Sequence, residues 1–137
     1  MAFKNIISIL LTIILISCNK NGGECSYTKY EGKAVIISID IAPVNENNCA
    51  TNPKKVMFAF MPNDTTVRNN YIFKNWSDTT SLTINGGTNP SQIFLDSLDI
   101  TVGKEFICNR QELTQGTCTP VFFEFTGINL NDASGCR

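Results

Sequence analysis

The sequence predicts a small all-β domain with one short helix, because three features are found in its 137 residues. Apolar and polar residues alternate with a period of two in several short runs, which is the pattern of strands with one buried face. Turn signals built from Pro, Gly, Asn and Asp separate these runs. One segment instead combines a helix N-cap residue, a proline and closely spaced apolar residues. A chain of this length has room for one domain.

The first two strands are predicted from their alternation. Residues 35–41 have an aliphatic side chain at every odd-numbered position, with Ile36, Ser38 and Asp40 between them. One face of the strand is therefore expected to be buried. That aliphatic set is Val35, Ile37, Ile39 and Ile41. Residues 55–61 form the second strand, which ends at the turn signal of residues 62–64. The predicted core face of this strand consists of Val56, Phe58 and Phe60.

The remaining elements follow in order. Residues 71–76 are predicted to form a short strand or a packed loop, and residues 81–84 a strand that ends at two glycines. Asn89 is then the predicted N-cap of a short helix and Pro90 its first residue. The apolar face of this helix would be Ile93, Phe94, Leu95 and Leu98. Residues 105–110 and 118–126 are the last two strands, and the final strand turns one face to the core: Val121, Phe123 and Phe125.

The order of these elements is three strands, a helix and two strands. This order resembles the OB-fold, a small five-stranded barrel with a helix between the third and fourth strands. The resemblance implies an OB-like five-stranded barrel, and a two-sheet β-sandwich remains the alternative architecture.

The amino terminus has the composition of a secretory signal peptide. Lys4 precedes the almost wholly aliphatic residues 6–16. This run is shorter than the roughly 20 residues that a membrane-spanning helix needs. Its length and position are typical of the apolar region of a signal peptide.

The run ends in Leu15, Ile16, Ser17 and Cys18, which resemble a bacterial lipobox. In that family the cysteine receives a diacylglyceryl group and becomes the first residue of the mature protein. The resemblance implies a signal peptide over residues 1–17, a lipidated tether over residues 18–26 and a single β domain over residues 27–137. Two or three acyl chains would give stable attachment to a membrane.

The residue after the lipidated cysteine bears on location. It is Asn19, not the aspartate that often retains such proteins in the inner membrane. By this resemblance the chain is expected in the outer membrane, with its domain facing either the periplasm or the outside.

Five further cysteines indicate disulfides, because an exported domain matures in an oxidising compartment. They are Cys25, Cys49, Cys108, Cys118 and Cys136. An odd number leaves one thiol over. A metal site is not expected, because the chain has no Cys-x-x-Cys pair and no histidine.

The first bridge expected is Cys108–Cys118, and it depends on strand register. If the last two strands meet in a tight hairpin centred on Gln115, Cys108 faces Phe122 and the bridge is impossible. If the loop instead spans residues 111–115, Cys108 lies opposite Cys118. This register is favoured because the other one would leave an unpaired cysteine on each of the two strands. Cys49 or Cys25 would then pair with Cys136.

Charge and composition exclude several classes of function. Eleven basic and twelve acidic residues give a net charge of −1, and Lys54-Lys55 is the only adjacent basic pair. A nucleic-acid-binding protein would need a clustered basic face. The absence of histidine removes the commonest general base and metal ligand. No nucleic-acid partner and no cofactor are therefore expected.

Candidate site residues are few. Trp76, flanked by Asn75, Ser77 and Asp78, is predicted to be exposed and is the candidate ligand contact, since aromatic side chains of OB barrels stack on ligands. Nearby aromatic residues are expected to fill the core. The acidic residues are dispersed and predicted to be solvated: Asp40, Asp64, Asp78, Asp96, Asp99, Glu105, Glu112 and Glu124. No catalytic residues are predicted.

These observations predict a membrane-anchored, non-catalytic envelope module that binds a protein or a glycan. Residues 116–120 together with Asn89 and Pro90 resemble small uncharacterised envelope lipoproteins, which implies no biochemical role. A secreted inhibitor, similar in build to small β-barrel lipoproteins that block lysozyme, is the first alternative. An enzyme acting on glycans is the second.

Overall fold

The computed structural model describes residues 23–43 and 51–131, and in these residues the predicted all-β class is confirmed. Five strands form one antiparallel sheet that curls into a half-barrel. The strands are β1 (Ser26–Ile41), β2 (Lys54–Pro62), β3 (Thr79–Leu82), β4 (Glu105–Gln115) and β5 (Val121–Phe125). A 3-10 helix (Thr65–Asn70) lies between β2 and β3, and a short α-helix, α1 (Gln92–Ser97), lies between β3 and β4.

Three sites predicted from the sequence lie outside the described residues. They are the lipidation site Cys18 and the cysteines Cys49 and Cys136. Within the described residues, no helix has the length and apolar character needed to cross a membrane.

The strands are ordered β3-β2-β1-β4-β5. All five therefore belong to one sheet, whereas the alternative β-sandwich would have divided them between two. The helix between β3 and β4 stands where the OB-like element order placed it, and the 3-10 helix was not predicted. β3 and β5 are the end strands and do not pair with each other, so the barrel is open on one side.

The prediction for the core face of β1 was wrong over most of its length. Ala34 and Ile36 are buried, whereas Ile37 is exposed and Ile41 is 82% exposed. The pairing of β1 with β2 shifts between Ile36 and Ser38, which marks a β-bulge. One extra residue reverses the alternation of side chains. Only after the bulge does Ile39 pack against the core.

β1 is also longer than predicted, because its first half is polar and pairs with β4. It begins at Ser26, and Cys25 immediately before it forms a disulfide. Both residues therefore belong to the folded domain and not to the predicted tether. A glycine within β1 permits the tight curl of the sheet: a Cβ on Gly32 would collide with the Met61 carbonyl oxygen and lie 2.8 Å from the Phe60 ring.

The predicted core faces of β2 and β5 are confirmed. Val56, Phe58 and Phe60 are all buried. The Phe58 ring meets the Phe123 and Phe125 rings edge-on, with centroid distances of 5.4 and 5.1 Å. Full burial of a side chain such as that of Phe58 stabilises the fold by about 1.5–3 kcal/mol, and the partly buried Phe123 and Phe125 contribute less. These contacts across the barrel hold the half-barrel in its curl.

α1 begins later than predicted. Its N-cap is Ser91, whose Oγ accepts a hydrogen bond from the Phe94 amide at 3.2 Å. The preceding Pro90 accepts a hydrogen bond from the Lys54 amide through its carbonyl. This contact holds the residues before α1 in extended form beside β2. Leu95 and Phe94 are buried as predicted, but Ile93 is exposed.

Candidate binding site at the open side of the barrel

An arginine is fully buried in β4, and every N–H bond of its guanidinium has an acceptor. Nε of Arg110 donates to Glu112 Oε1 at 2.9 Å, and Nη2 lies 2.8 Å from the same oxygen. Nη2 also donates to the Phe73 carbonyl at 3.1 Å. Nη1 donates to Asp78 Oδ1 at 2.9 Å and to the Trp76 carbonyl at 3.3 Å. Because a guanidinium has five N–H donors, Arg110 has none left for a ligand.

Tyr71 completes this arrangement, which we call the arginine cluster: Arg110, Glu112, Asp78 and Tyr71. The Tyr71 ring lies 4.2 Å from the guanidinium carbon, in cation-π geometry. Glu112, also fully buried, accepts a hydrogen bond from the Ile72 amide at 2.6 Å. The cluster therefore fixes residues 71–78, which form a packed loop, one of the two predicted alternatives.

Burial also acts on the tyrosines beside the cluster. Desolvation raises the pKa of Tyr71, and the nearby carboxylates add to the effect. The Tyr71 hydroxyl is buried and has no hydrogen-bond partner among the residues that the structure describes. Burial likewise raises the pKa of Tyr30, whose ring centroid lies 4.9 Å from that of Tyr71. Both tyrosines therefore remain neutral and packed at physiological pH.

The prediction that the acidic residues are dispersed and solvated was wrong for two of them. Asp78 and Glu112 converge on one guanidinium, and Glu112 has no exposed surface. Neither carboxylate is among the residues that line the two cavities described below. Within the described part of the chain, no three potential metal ligands form a group.

The facing edges of β3 and β5 bound an open groove, which we call the seam. A cavity of about 340 Å³ lies in it, with Phe58 and Leu82 of the core among its lining residues. Trp76 and Phe122 also line the cavity. A second cavity of about 430 Å³ lies beside β5 and residues 128–131. At that end the Asn85 amide donates to the Leu130 carbonyl at 2.8 Å.

The main chain of β3 presents part of its edge to the seam. Phe60 N donates to the Asp78 carbonyl at 2.7 Å, so the pair Phe60 and Asp78 is a hydrogen-bonded one. Hydrogen-bonded and non-hydrogen-bonded pairs alternate along antiparallel strands. In the observed register Thr80 therefore bonds to β2, whereas the amide and carbonyl of Ser81 point away from it. The Ser81 groups face the seam.

The same reasoning applies to β5. Thr126 N donates to the Ile107 carbonyl at 3.0 Å, so the pair Thr126 and Ile107 is a hydrogen-bonded one, and every second pair of β4 and β5 is hydrogen-bonded with it. Glu124 then bonds to β4, and the main-chain groups of Phe123 and Phe125 point the other way. These two residues present amides and carbonyls to the seam from the opposite side to Ser81.

Trp76 is 47% exposed, as predicted, and it lies at the seam. Its role as a ligand contact stays a prediction. Sequence reasoning missed Phe122, which is 38% exposed and is one of the residues that line the seam cavity. Its ring packs edge-on against Tyr27, with the centroids 5.0 Å apart. In the sequence, the exposure of Phe122 was indicated only by its position on the non-core face of the last strand.

The cysteine pairing differs from the prediction. Cys25 and Cys118 form a disulfide with their Cα atoms 6.2 Å apart. Cys108 is free and fully buried, and its burial raises the pKa of the thiol to about 12. A Cys108–Cys118 bridge is wrong because Cys108 pairs with Phe125, in a register different from both of those considered.

Two consequences follow for the other cysteines. Since Cys25 is already bridged, it cannot pair with Cys136. A link between Cys49 and Cys136 stays a prediction for residues outside the described ranges.

A glycine fits against the disulfide. Gly116 has a φ of +99°, and a Cβ on it would lie 2.7 Å from the Cys25 sulfur. Real Cβ atoms do not approach another heavy atom so closely. Both the backbone conformation and the space beside Cys25 therefore require glycine here.

Comparison of the chain with protein-family models, with characterised proteins and with solved structures finds no significant match. The class of protein is thus defined by fold and site alone. It is an all-β half-barrel with an open seam and a loop fixed by a buried arginine.

Proposed function

We propose that this chain is an envelope lipoprotein, anchored by lipid at Cys18, whose β domain is a non-catalytic binding module. The seam is its binding site. The observation that supports the proposal best is that two partly exposed aromatic residues, Trp76 and Phe122, both line one cavity, and that its described lining residues carry no charge. Ligand sites are typically concave, largely apolar and lined by a few polar groups.

The site is arranged before any ligand arrives. The Trp76 carbonyl is bonded to buried Arg110, and Asp78 two residues later is bonded to the same guanidinium. A loop fixed in this way loses little conformational entropy on binding. The arginine cluster thus supports recognition indirectly, by positioning Trp76.

The chemistry of the seam favours binding over catalysis. Its polar lining residues are serines and threonines, of which Ser77 and Thr79 are two. A hydroxyl nucleophile needs an adjacent base. The chain has no histidine, and no lysine is among the described residues that line the cavity.

The proposed anchor would keep the domain close to a membrane surface. Cys25, the first residue held by the fold, lies seven positions after Cys18. An extended chain spans at most about 3.6 Å per residue, so the disulfide would lie within about 25 Å of the lipid headgroups. The partner is accordingly expected in or beside the same membrane.

Metabolic labelling with a radioactive fatty acid tests the anchor. We expect label on the wild-type protein and none on Cys18→Ala, which should leave the membrane fraction. A Cys18→Ala protein that still partitions with membranes would contradict the anchor.

A pull-down from detergent-solubilised membranes tests the binding role. Trp76→Ala should lose the specific partner. Ile93→Ala, which also removes an exposed apolar side chain but lies on α1, should retain it. Retention of the partner by Trp76→Ala would remove the seam from the proposal. Seam-dependent capture of a glycan-cleaving hydrolase would favour the inhibitor alternative.

A further inference from the structure

The two main-chain edges of the seam have the hydrogen-bonding groups that another strand would need. Ser81 on β3 and Phe123 and Phe125 on β5 each direct an amide and a carbonyl into it. Within residues 23–43 and 51–131, no strand pairs with these edges. Unpaired strand edges of this kind bind extended polypeptide by adding it to the sheet.

The side chains of the seam restrict the sequence of such a strand. The cavity is lined by aromatic, aliphatic and hydroxyl-bearing residues, and no charged residue of the described chain is among them. Burying a charge without a partner is very costly. A segment that crosses this cavity should therefore carry no charged side chain there.

We infer that the seam binds an extended, uncharged segment of a partner polypeptide, which pairs as an added strand with β5 and contacts Ser81 of β3 on its other side. The inference rests on the proposed function, because it names the partner of the same site. β5 has five residues, so the added segment would span about 17 Å.

The edge of β5 favours polypeptide over sugar. Phe123 and Phe125 are two residues apart, so their amide and carbonyl groups repeat about every 6.8 Å along the strand. An extended peptide repeats its own donors and acceptors at the same distance. A sugar chain could stack on Trp76, but it has no such alternation to match β5.

A peptide pool provides the probe. The full-length protein, purified in detergent and immobilised, is exposed to acetylated and amidated hexapeptides composed of Thr, Ser, Val, Ile, Tyr and Asn. The retained peptides are synthesised singly. We expect them to slow hydrogen exchange at the amides of Phe123 and Phe125 by at least about tenfold, because a hydrogen-bonded edge amide is protected from exchange.

Methylation of the peptide backbone then distinguishes strand pairing from nonspecific binding. Methyl groups on the alternate amides that face β5 should weaken binding about 30-fold, as expected for two lost hydrogen bonds of about 1 kcal/mol each. Methyl groups on the amides that face away from β5 serve as the matched control and should change the affinity much less.

A variant tests the β3 side. Ser81→Pro removes an amide that faces the seam and leaves the hydrogen bonds to β2 in place. It should weaken the peptide about fivefold, as the loss of one hydrogen bond predicts. Ile93→Ala on α1, which is not a lining residue of the cavity, is the control and should bind like the wild type. If Ser81→Pro does not fold, the methylated peptides still decide the matter.

Three results would overturn the inference. The first is that the pool yields no retained peptide, and the second is that both methylation patterns weaken binding equally. The third is that a neutral oligosaccharide, chitohexaose, binds at Trp76 while no peptide protects Phe123 and Phe125. In that third case the proposed binding role would stand and only the polypeptide partner would be wrong. Failure of the Trp76-dependent pull-down as well would reject both.

Discussion

Two loops of this domain are held in place by different kinds of contact. Residues 71–78 are fixed by the guanidinium of Arg110, which bonds to Phe73, Trp76 and Asp78. Residues 116–120, between β4 and β5, are fixed by the Cys25–Cys118 disulfide. The first contact is electrostatic and depends on burial, whereas the second is covalent and depends on redox conditions. The loop that presents Trp76 should therefore keep its conformation on reduction, whereas the loop of residues 116–120 should lose its attachment to Cys25.

The largest expected effect comes from removing the arginine. Arg110→Ala leaves Glu112 buried without its partner, and breaking a buried ion pair in this way costs about 3–5 kcal/mol. Urea denaturation measures the free energy of unfolding. Arg68→Ala is the control, because Arg68 bonds to the same Asp78 at the surface and should cost less than about 1 kcal/mol.

A double variant sharpens this result. Arg110→Met with Glu112→Met removes both charges and should be more stable than Arg110→Ala, since no unpaired buried charge remains. A double variant as unstable as the single one would show that the cluster acts through packing and not through charge.

The disulfide ranks second. The double variant Cys25→Ser, Cys118→Ser should lose about 2–5 kcal/mol, because the bridge joins residues 93 positions apart and restricts the unfolded chain. A reductant should destabilise the wild type by a similar amount and leave the double variant unchanged. Trp76 is already partly exposed, so the readout is a change in the quenching of its fluorescence. If the reductant changed that quenching, the two loops would not be independent.

The third effect concerns the glycine beside the bridge. Gly116→Ala should cost about 1–3 kcal/mol, because it combines an unfavourable φ with a collision with Cys25. Gly86→Ala is the matched control, since Gly86 also has a positive φ, of +79°, but has no atom within 4 Å of the added Cβ. Thermal unfolding of the two variants should show the larger loss at Gly116. Equal losses would mean that the space beside the disulfide does not matter.

The effect that is smallest at neutral pH is that of the buried thiol of Cys108, which is not part of the disulfide. The folded thiol has a pKa of about 12, raised from 9.0 by burial, so the folded state keeps a proton that the unfolded state releases above pH 9. Stability should therefore be unaffected below pH 9 and fall between pH 9 and 12, by at most about 1.4 kcal/mol per pH unit. Cys108→Ala should lessen this slope. Rapid alkylation of Cys108 in the native protein would contradict its burial.

The sequence predicted the parts of the fold that have regular alternation. β2 and β5 turn the expected aromatic residues to the core, since neither strand contains an extra residue; the bulge in the pairing of β1 with β2 lies on β1. β1 differed because its bulge lies between Ile36 and Ser38, and both sides of the bulge are rich in isoleucine. Hydrophobicity alone could not show which face was buried.

The site was predicted only in part for a related reason. Trp76 could be recognised as exposed because polar residues flank it. Arg110 could not be recognised as buried, since a charged residue in a strand is ordinarily placed on the solvent face. In retrospect Cys108, Arg110 and Glu112 share one face of β4, and opposite charges two residues apart on a strand are able to pair. The seam depends on strand order, which no local pattern reveals.

The Cys25–Cys118 bridge has a consequence for proteolysis. It joins the residue before β1 to the residue three positions before β5, so four of the five strands lie inside one covalent ring. A protease that cuts a single peptide bond within that ring releases no fragment, because the disulfide still joins the two pieces. The damaged protein would migrate as one species until it is reduced. With the proposed anchor at Cys18, both fragments of the cleaved domain, including the Trp76 loop, would stay attached to the membrane.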